Sequence, residues 1–164
     1  MRTAKQLQRV LGIDPGYGRV GYAVIEGDGQ HWNVVTYGCI TTPSDEPLAN
    51  RLLIISNDLT HIIHQYQPTH ASVEELFFAK NTKTAIQVAH ARGVLLFLLS
   101  KENIPFVECT PLQVKQALVG YGRAEKRQVQ HMVAQFFRLR TGVLQDDAAD
   151  ALAIALTGAM MIRV

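Results

Sequence analysis

Cysteine is scarce in this chain: Cys39 and Cys109 are the only two. They form no CxxC pair and cannot build a disulfide framework, which points to a reducing compartment. Charge is also thin. Asp, Glu, Lys and Arg make up 18%, below the usual level of about 25%, which excludes a solvated tail or a highly charged chromatin-type protein. Long apolar runs are missing. The longest near-continuous one, Ala151 to Ile162, is too short for a membrane span of about 20 residues. The N-terminal stretch Met1 to Arg9 is basic but has no apolar core, so no secretory signal is expected. Internal repeats, low-complexity blocks and linkers are absent. A single domain in the cytoplasm, with no membrane contact, is the expectation.

What is present suits a globular fold. Hydrophobic residues are 48% of 164, enough for one core. The net charge of +2 weakly favours an anionic partner. Arg9 to Asp14 is a short apolar run ending in Asp-Pro-Gly, which predicts a buried strand. Gly18 to Glu26 and Trp32 to Thr41 predict two more, joined across Gly27-Asp28-Gly29 as an antiparallel meander.

The period then changes. Leu48, Leu52, Ile55, Leu59, Ile62 and Tyr66 recur every three or four residues and predict an amphipathic helix that Pro68 ends. Ala71 to Leu76 predicts a fourth strand, and Asn81 to Ser100 a helix with Asn81 as N-cap. Pro105 to Cys109 is the fifth strand. Thr110-Pro111-Leu112-Gln113 joins Pro at the first helical position to a T-x-x-Q capping box, so a helix starts there and ends near Gly120. Helices over about Ala124–Arg138 and Asp146–Ile162 complete the chain. A meander followed by alternating strands and helices predicts an α/β fold with a mixed sheet.

Gly16-Tyr17-Gly18-Arg19-Val20-Gly21 matches G-x-G-x-x-G. A dinucleotide site needs a helix directly afterwards, with its N-terminus on the pyrophosphate. Here Tyr22-Ala23-Val24-Ile25 follows, which is strand-like, so the glycines suit a hairpin better. A phosphate-cradling hairpin of the sugar-kinase type is the lesser alternative. The six histidines are scattered, with no H-E-x-x-H and no Cys partner, so zinc is not expected. No G-x-S-x-G points to a serine hydrolase.

The carboxylates carry more. Asp14 closes the first strand, where it could simply cap an Asp-Pro-Gly turn. Glu74 and Glu75 break an apolar strand and face opposite sides, so one of them can enter a site. Asp146 and Asp147 in the first turn of the last helix could merely offset its dipole. Asp150 differs, because Ala148 to Leu156 is otherwise Ala, Leu or Ile all round, which marks a buried helix. A buried carboxylate is rare unless paired or metal-bound. Asp147 and Asp150, three apart, share its face. Only Arg19 offers a cation near Asp14 or Asp147 in sequence. Such a cluster repels itself, and without cations some members hold protons at neutral pH. Oxygen-only ligands select Mg²⁺ or Mn²⁺, and two such ions can hold a phosphodiester, activate water and stabilise a leaving 3′ oxygen.

Between Lys115 and Arg140 stand Lys115, Arg123, Lys126, Arg127, Arg138 and Arg140 against Glu125 alone. The basic charge is therefore local and suits a surface that grips phosphate beside an acidic site. Phe77-Phe78 follows the fourth strand, where core packing competes with stacking on an unpaired base.

Seven motifs occur in order: Leu11-Gly12-Ile13-Asp14-Pro15-Gly16, Val73-Glu74, Phe78-Ala79-Lys80-Asn81, Ala91-Arg92-Gly93, Thr110-Pro111 with Val114-Lys115-Gln116, Ala124-Glu125-Lys126, and Asp147-Ala148-Ala149-Asp150-Ala151-Leu152-Ala153. Through them the chain, over roughly residues 9 to 160, resembles the RuvC family of crossover junction endodeoxyribonucleases. The resemblance implies an RNase H-like fold: three antiparallel strands, then two parallel ones, with helices on both faces. It implies one nuclease domain over 1–164, with residues 1–8 as a flexible extension. It implies a homodimer that binds a four-way Holliday junction and nicks two strands of like polarity, leaving 5′-phosphate and 3′-hydroxyl ends. The RuvA–RuvB branch-migration complex is the implied partner, and recombination and repair are the implied processes. Asp14, Glu74, Asp147 and Asp150 match the family's catalytic and metal-binding acids, with two Mg²⁺ ions expected and Mn²⁺ able to substitute. Glu74 rather than Glu75 aligns with the family's acid. Phe77, Lys115 and Lys126 match DNA-contacting positions. Glu75 and Asp146 are extra acids, and some relatives carry His where Asp147 stands.

Overall fold

The computed structural model describes residues 7–75, 82–140 and 145–162. Three strands come first: β1 (Gln8–Asp14), β2 (Arg19–Gly27) and β3 (Trp32–Thr41). After them run α1 (Leu48–Tyr66), β4 (His70–Glu74), α2 (Thr82–Lys101) and β5 (Phe106–Cys109). The chain closes with α3 (Pro111–Val119), α4 (Lys126–Phe136) and α5 (Asp146–Met161). Every strand and helix read from the sequence is present, within about two residues at most ends. Gln8, placed in the flexible extension by the sequence reading, opens β1 and pairs with Gly27. The proposed N-cap Asn81 and strand end Leu76 lie outside the described residues.

The sheet order is β3-β2-β1-β4-β5. β1 to β3 form the antiparallel meander, and β4 and β5 add parallel to β1. The G-x-G-x-x-G glycines sit at the β1–β2 hairpin and the start of β2 rather than before a helix, which disposes of the dinucleotide reading. Side chains alternate across each strand. Leu11 and Ile13 of β1 and Ala71 and Val73 of β4 pack with Leu59 of α1 and Leu95 and Leu99 of α2 on one face. Val10 of β1 and Ala23 and Ile25 of β2 pack with α5 and with residues of α3 and α4 on the other. Helices therefore cover both faces.

The α5 side is unusually close. A Cβ on Gly12 would meet the carbonyl oxygen of Ala151 and lie 2.5 Å from the amide nitrogen of Ala155. A Cβ on Gly21 would meet the carbonyl oxygen of Asp147, and one on Gly158 would meet the Ser72 side chain. Glycines on the sheet and small residues on α5 thus let helix backbone rest on strand backbone. Thr110 caps α3 as the sequence predicts: its hydroxyl accepts from the Gln113 amide at 3.1 Å and its own amide donates to Gln113 Oε1 at 2.8 Å. A second capping box, Glu125 with Gln128, opens α4. Its Glu is not the usual Ser or Thr, so the sequence reading passes over it.

Candidate active site

Strand parity decides where the acids point. Gly12 faces α5, so Asp14, two residues on, faces it too. Ser72 touches Gly158 of α5, so Glu74 shares that side, while Glu75 follows the last residue of β4. Ile13 pairs with Val73, so Asp14 and Glu74 end adjacent parallel strands together. Asp147 and Asp150, three apart on α5, meet them from above.

The electrostatics follow from this gathering. Asp14 is pushed up to about 8, first by burial and then by Glu74, Asp150 and Asp147, with Lys126 opposing. Burial, then Asp150, raises Glu74 to about 7. Asp150 is raised by burial against the hydrogen bond from Lys126. The strand acids therefore carry protons near neutrality, as a crowded carboxylate cluster without cations must. Among the described residues, no Lys or Arg is ion-paired with Asp14 or Glu74.

The helix acids are paired. Arg19 Nε lies 2.6 Å from Asp147 Oδ2. Lys126 Nζ lies 2.7 Å from Asp150 Oδ2 and 3.6 Å from Asp146 Oδ2. Asp150 is thus half-buried and ion-paired rather than enclosed, since α5 presents its first turns at the rim of the sheet. Among the described residues, no three Asp, Glu, His or Cys side chains stand close enough to share an ion as they are. The chemistry of the donor set nevertheless fits a hard divalent cation. It is all oxygen, Asp14 and Glu74 have no ion-pair partner among the described residues, and the other two members are paired with the half-exposed side chains of Arg19 and Lys126.

Lys115 of α3 and Lys126 line one cleft with Glu74 and Asp150. The structure thus brings together Asp14, Glu74, Asp147, Asp150, Lys115 and Lys126; Phe77 lies outside the described residues. Several contacts escape the sequence reading. Cys39 Sγ stands 3.7 Å from Asp147 Oδ2. Arg92 of α2 pairs with Glu108 of β5 and reaches the Glu74 carbonyl at 3.5 Å. Arg92 therefore ties down the strand ends that carry Glu74. Cys109, in register with Glu74, is a core thiol whose pKa burial raises to about 11.

A meander joined to a parallel pair, with acids at the ends of its central strands and on the helix crossing them, defines an RNase H-like nuclease. The chain belongs to the RuvC family, whose profile, crossover junction endodeoxyribonuclease RuvC, matches residues 10–158. The crossover junction endodeoxyribonuclease RuvC of Petrotoga mobilis is 52% identical over 146 residues, 89% of this chain and 90% of the relative. That of a Roseiflexus species is 49% identical over 158 residues, 94% of each. Thermus thermophilus RuvC in complex with a Holliday junction substrate superposes with a TM-score of 0.87 at 34% identity, covering 94% of each chain. The yeast mitochondrial resolvase Ydc2, at 19% identity and a TM-score of 0.66, shares the fold. No helix among the described residues is long and apolar enough to cross a membrane.

Proposed function

We propose that the protein resolves four-way DNA junctions by paired nicks, hydrolysing phosphodiesters with two Mg²⁺ ions held by Asp14, Glu74, Asp147 and Asp150. Family membership supports the junction as substrate. The observation that carries the chemistry is the crowding of four carboxylates at one end of the sheet, with Asp14 raised to about 8. Only a strong positive charge makes their full ionisation favourable near neutrality. Divalent cations bound there lower the pKa of an attacking water and offset the charge that grows on the leaving 3′ oxygen.

The chain's own groups do the rest. Asp14 and Glu74, as carboxylates, would hold an ion at the strand ends. Lys115 and Lys126 hold the phosphate backbone over the cleft as point charges, fixing register without reading sequence. Phe77 stacks on a base opened near the cut. A homodimer supplies two such sites, one for each of two strands of like polarity, and ligatable 5′-phosphate and 3′-hydroxyl ends result. Its setting is the cytoplasm, beside the RuvA–RuvB branch-migration complex.

The test is a labelled four-way junction incubated with the protein and Mg²⁺, beside a linear duplex of matched sequence. Symmetric nicks in the junction alone, lost with Asp14→Asn while binding persists, are expected. Binding without cleavage across several core sequences, with Mn²⁺ also tried, overturns the catalytic reading. Loss of binding by the amide variants at Asp14, Glu74 and Asp150 together contradicts their metal-holding role.

A further inference from the structure

The two cations at the α5 acids come from different elements. Arg19 opens β2 at the edge of the hairpin, and Lys126 is the first residue of α4. Arg19 meets Asp147 at 2.6 Å, and Lys126 meets Asp150 at 2.7 Å with Asp146 further off at 3.6 Å. Their side chains are 56% and 52% exposed. Long exposed stems can swing away, because solvent reaches the cation's side of each pair and weakens it. Lys126 also lines the cleft that holds Glu74 and Asp150. A divalent ion and the paired guanidinium or ammonium compete for the negative charge of the same carboxylates, and both contacts fall on Oδ2.

We infer that Arg19 and Lys126 are exchangeable counter-ions: they occupy Asp147 and Asp150 in the ion-free protein and, displaced when ions load, turn to the phosphates of bound DNA. The inference rests on the proposed metal-holding role of the four acids. It assigns Arg19 a function that the resemblance does not, and gives Lys126 two successive partners. Ion loading and DNA grip then reinforce each other, and the coupling is reciprocal. The exchange also keeps the ion-free site from being a bare patch of negative charge facing DNA.

Titration calorimetry of the full chain with Mn²⁺ tests this without catalysis. Arg19→Gln and Lys126→Met each remove a competitor, so each binds Mn²⁺ about two- to fivefold more tightly than the parent. Lys115→Met removes a cation from the same cleft that is ion-paired to neither α5 acid, and it changes Mn²⁺ affinity less than about twofold. Junction binding is the second readout, measured with and without Ca²⁺ at constant ionic strength, with strand integrity checked on a denaturing gel. Ca²⁺ strengthens binding by the parent severalfold, and the Arg19→Gln/Lys126→Met double variant loses most of that gain. Unchanged Mn²⁺ affinity in both single variants, or an equal gain in Lys115→Met, overturns the exchange while leaving the metal site standing. A parent that binds Mn²⁺ no better than Asp14→Asn overturns the metal reading and the exchange together.

Discussion

The two faces of the sheet are built differently. Towards α1 and α2 the contacts are long aliphatic side chains, among them Leu11, Ile13, Leu59, Leu95 and Leu99. Towards α5, Val10, Ile25, Leu152 and Leu156 also pack, but Gly12, Gly21, Ser72, Ala151, Ala155 and Gly158 bring backbone against backbone there. Interdigitated side chains can shift rotamers and partly refill a gap. Backbone contacts have no such freedom. The acids of the active site stand on the second face, where a rigid helix registers Asp147 and Asp150 against the ends of β1 and β4. The aliphatic face supplies stability, and the small-residue face supplies position.

The largest expected effect probes the close face. Gly12→Val puts carbon where the Ala151 carbonyl oxygen sits. It is expected to cost more than about 3 kcal/mol, seen as a lower urea midpoint, and to lose cleavage even in the folded fraction as α5 is driven off the strand. Gly12→Ala, a smaller intrusion, keeps the test readable where the valine variant does not fold. Next in size is the aliphatic face. Leu59→Ala removes a fully buried side chain and is expected to cost about 2–5 kcal/mol. Its folded fraction should still cleave within about twofold of the parent, the void being across the sheet from the acids. Equal loss of cleavage per folded molecule in both variants would erase the distinction between the faces.

Much of this was legible in the sequence because it rests on local periodicity. Alternation placed Asp14 on a strand end, a three-residue spacing put Asp147 and Asp150 on one helix face, and Thr110-Pro111 marked the start of α3. Strand parity allowed one of Glu74 and Glu75 to enter the site, and the resemblance chose Glu74. Long-range pairing was not legible. Lys126 and Asp150 stand in different helices, and nothing local in either segment announces the bond. The partial exposure of Asp150 was hidden for a related reason: an all-apolar helix reads as enclosed, whereas α5 leaves its first turns at the rim. The expected proton retention did appear, from burial and crowding together, most strongly at Asp14 and Glu74, which have no ion-pair partner among the described residues, while the hydrogen bond from Lys126 opposes the rise at Asp150.

That division gives the smallest and sharpest expectation. With Asp14 raised from 3.8 to about 8, the ion-free native state binds a proton that the unfolded chain has released throughout that window. Stability from this group is therefore greatest at the acid end and falls as pH rises towards 8. Asp14→Asn cannot titrate, so in chelator its stability advantage over the parent should grow by about 1–3 kcal/mol between pH 5 and pH 8, read from urea midpoints. Saturating Mg²⁺ should invert the order at pH 8, because binding stabilises only the chain that retains the ligand. An advantage of Asp14→Asn that stays constant across pH would mean that the strand carboxylates are ionised without an ion. The contrast between protonated strand acids and paired helix acids would then fail, even with the four carboxylates still in one place.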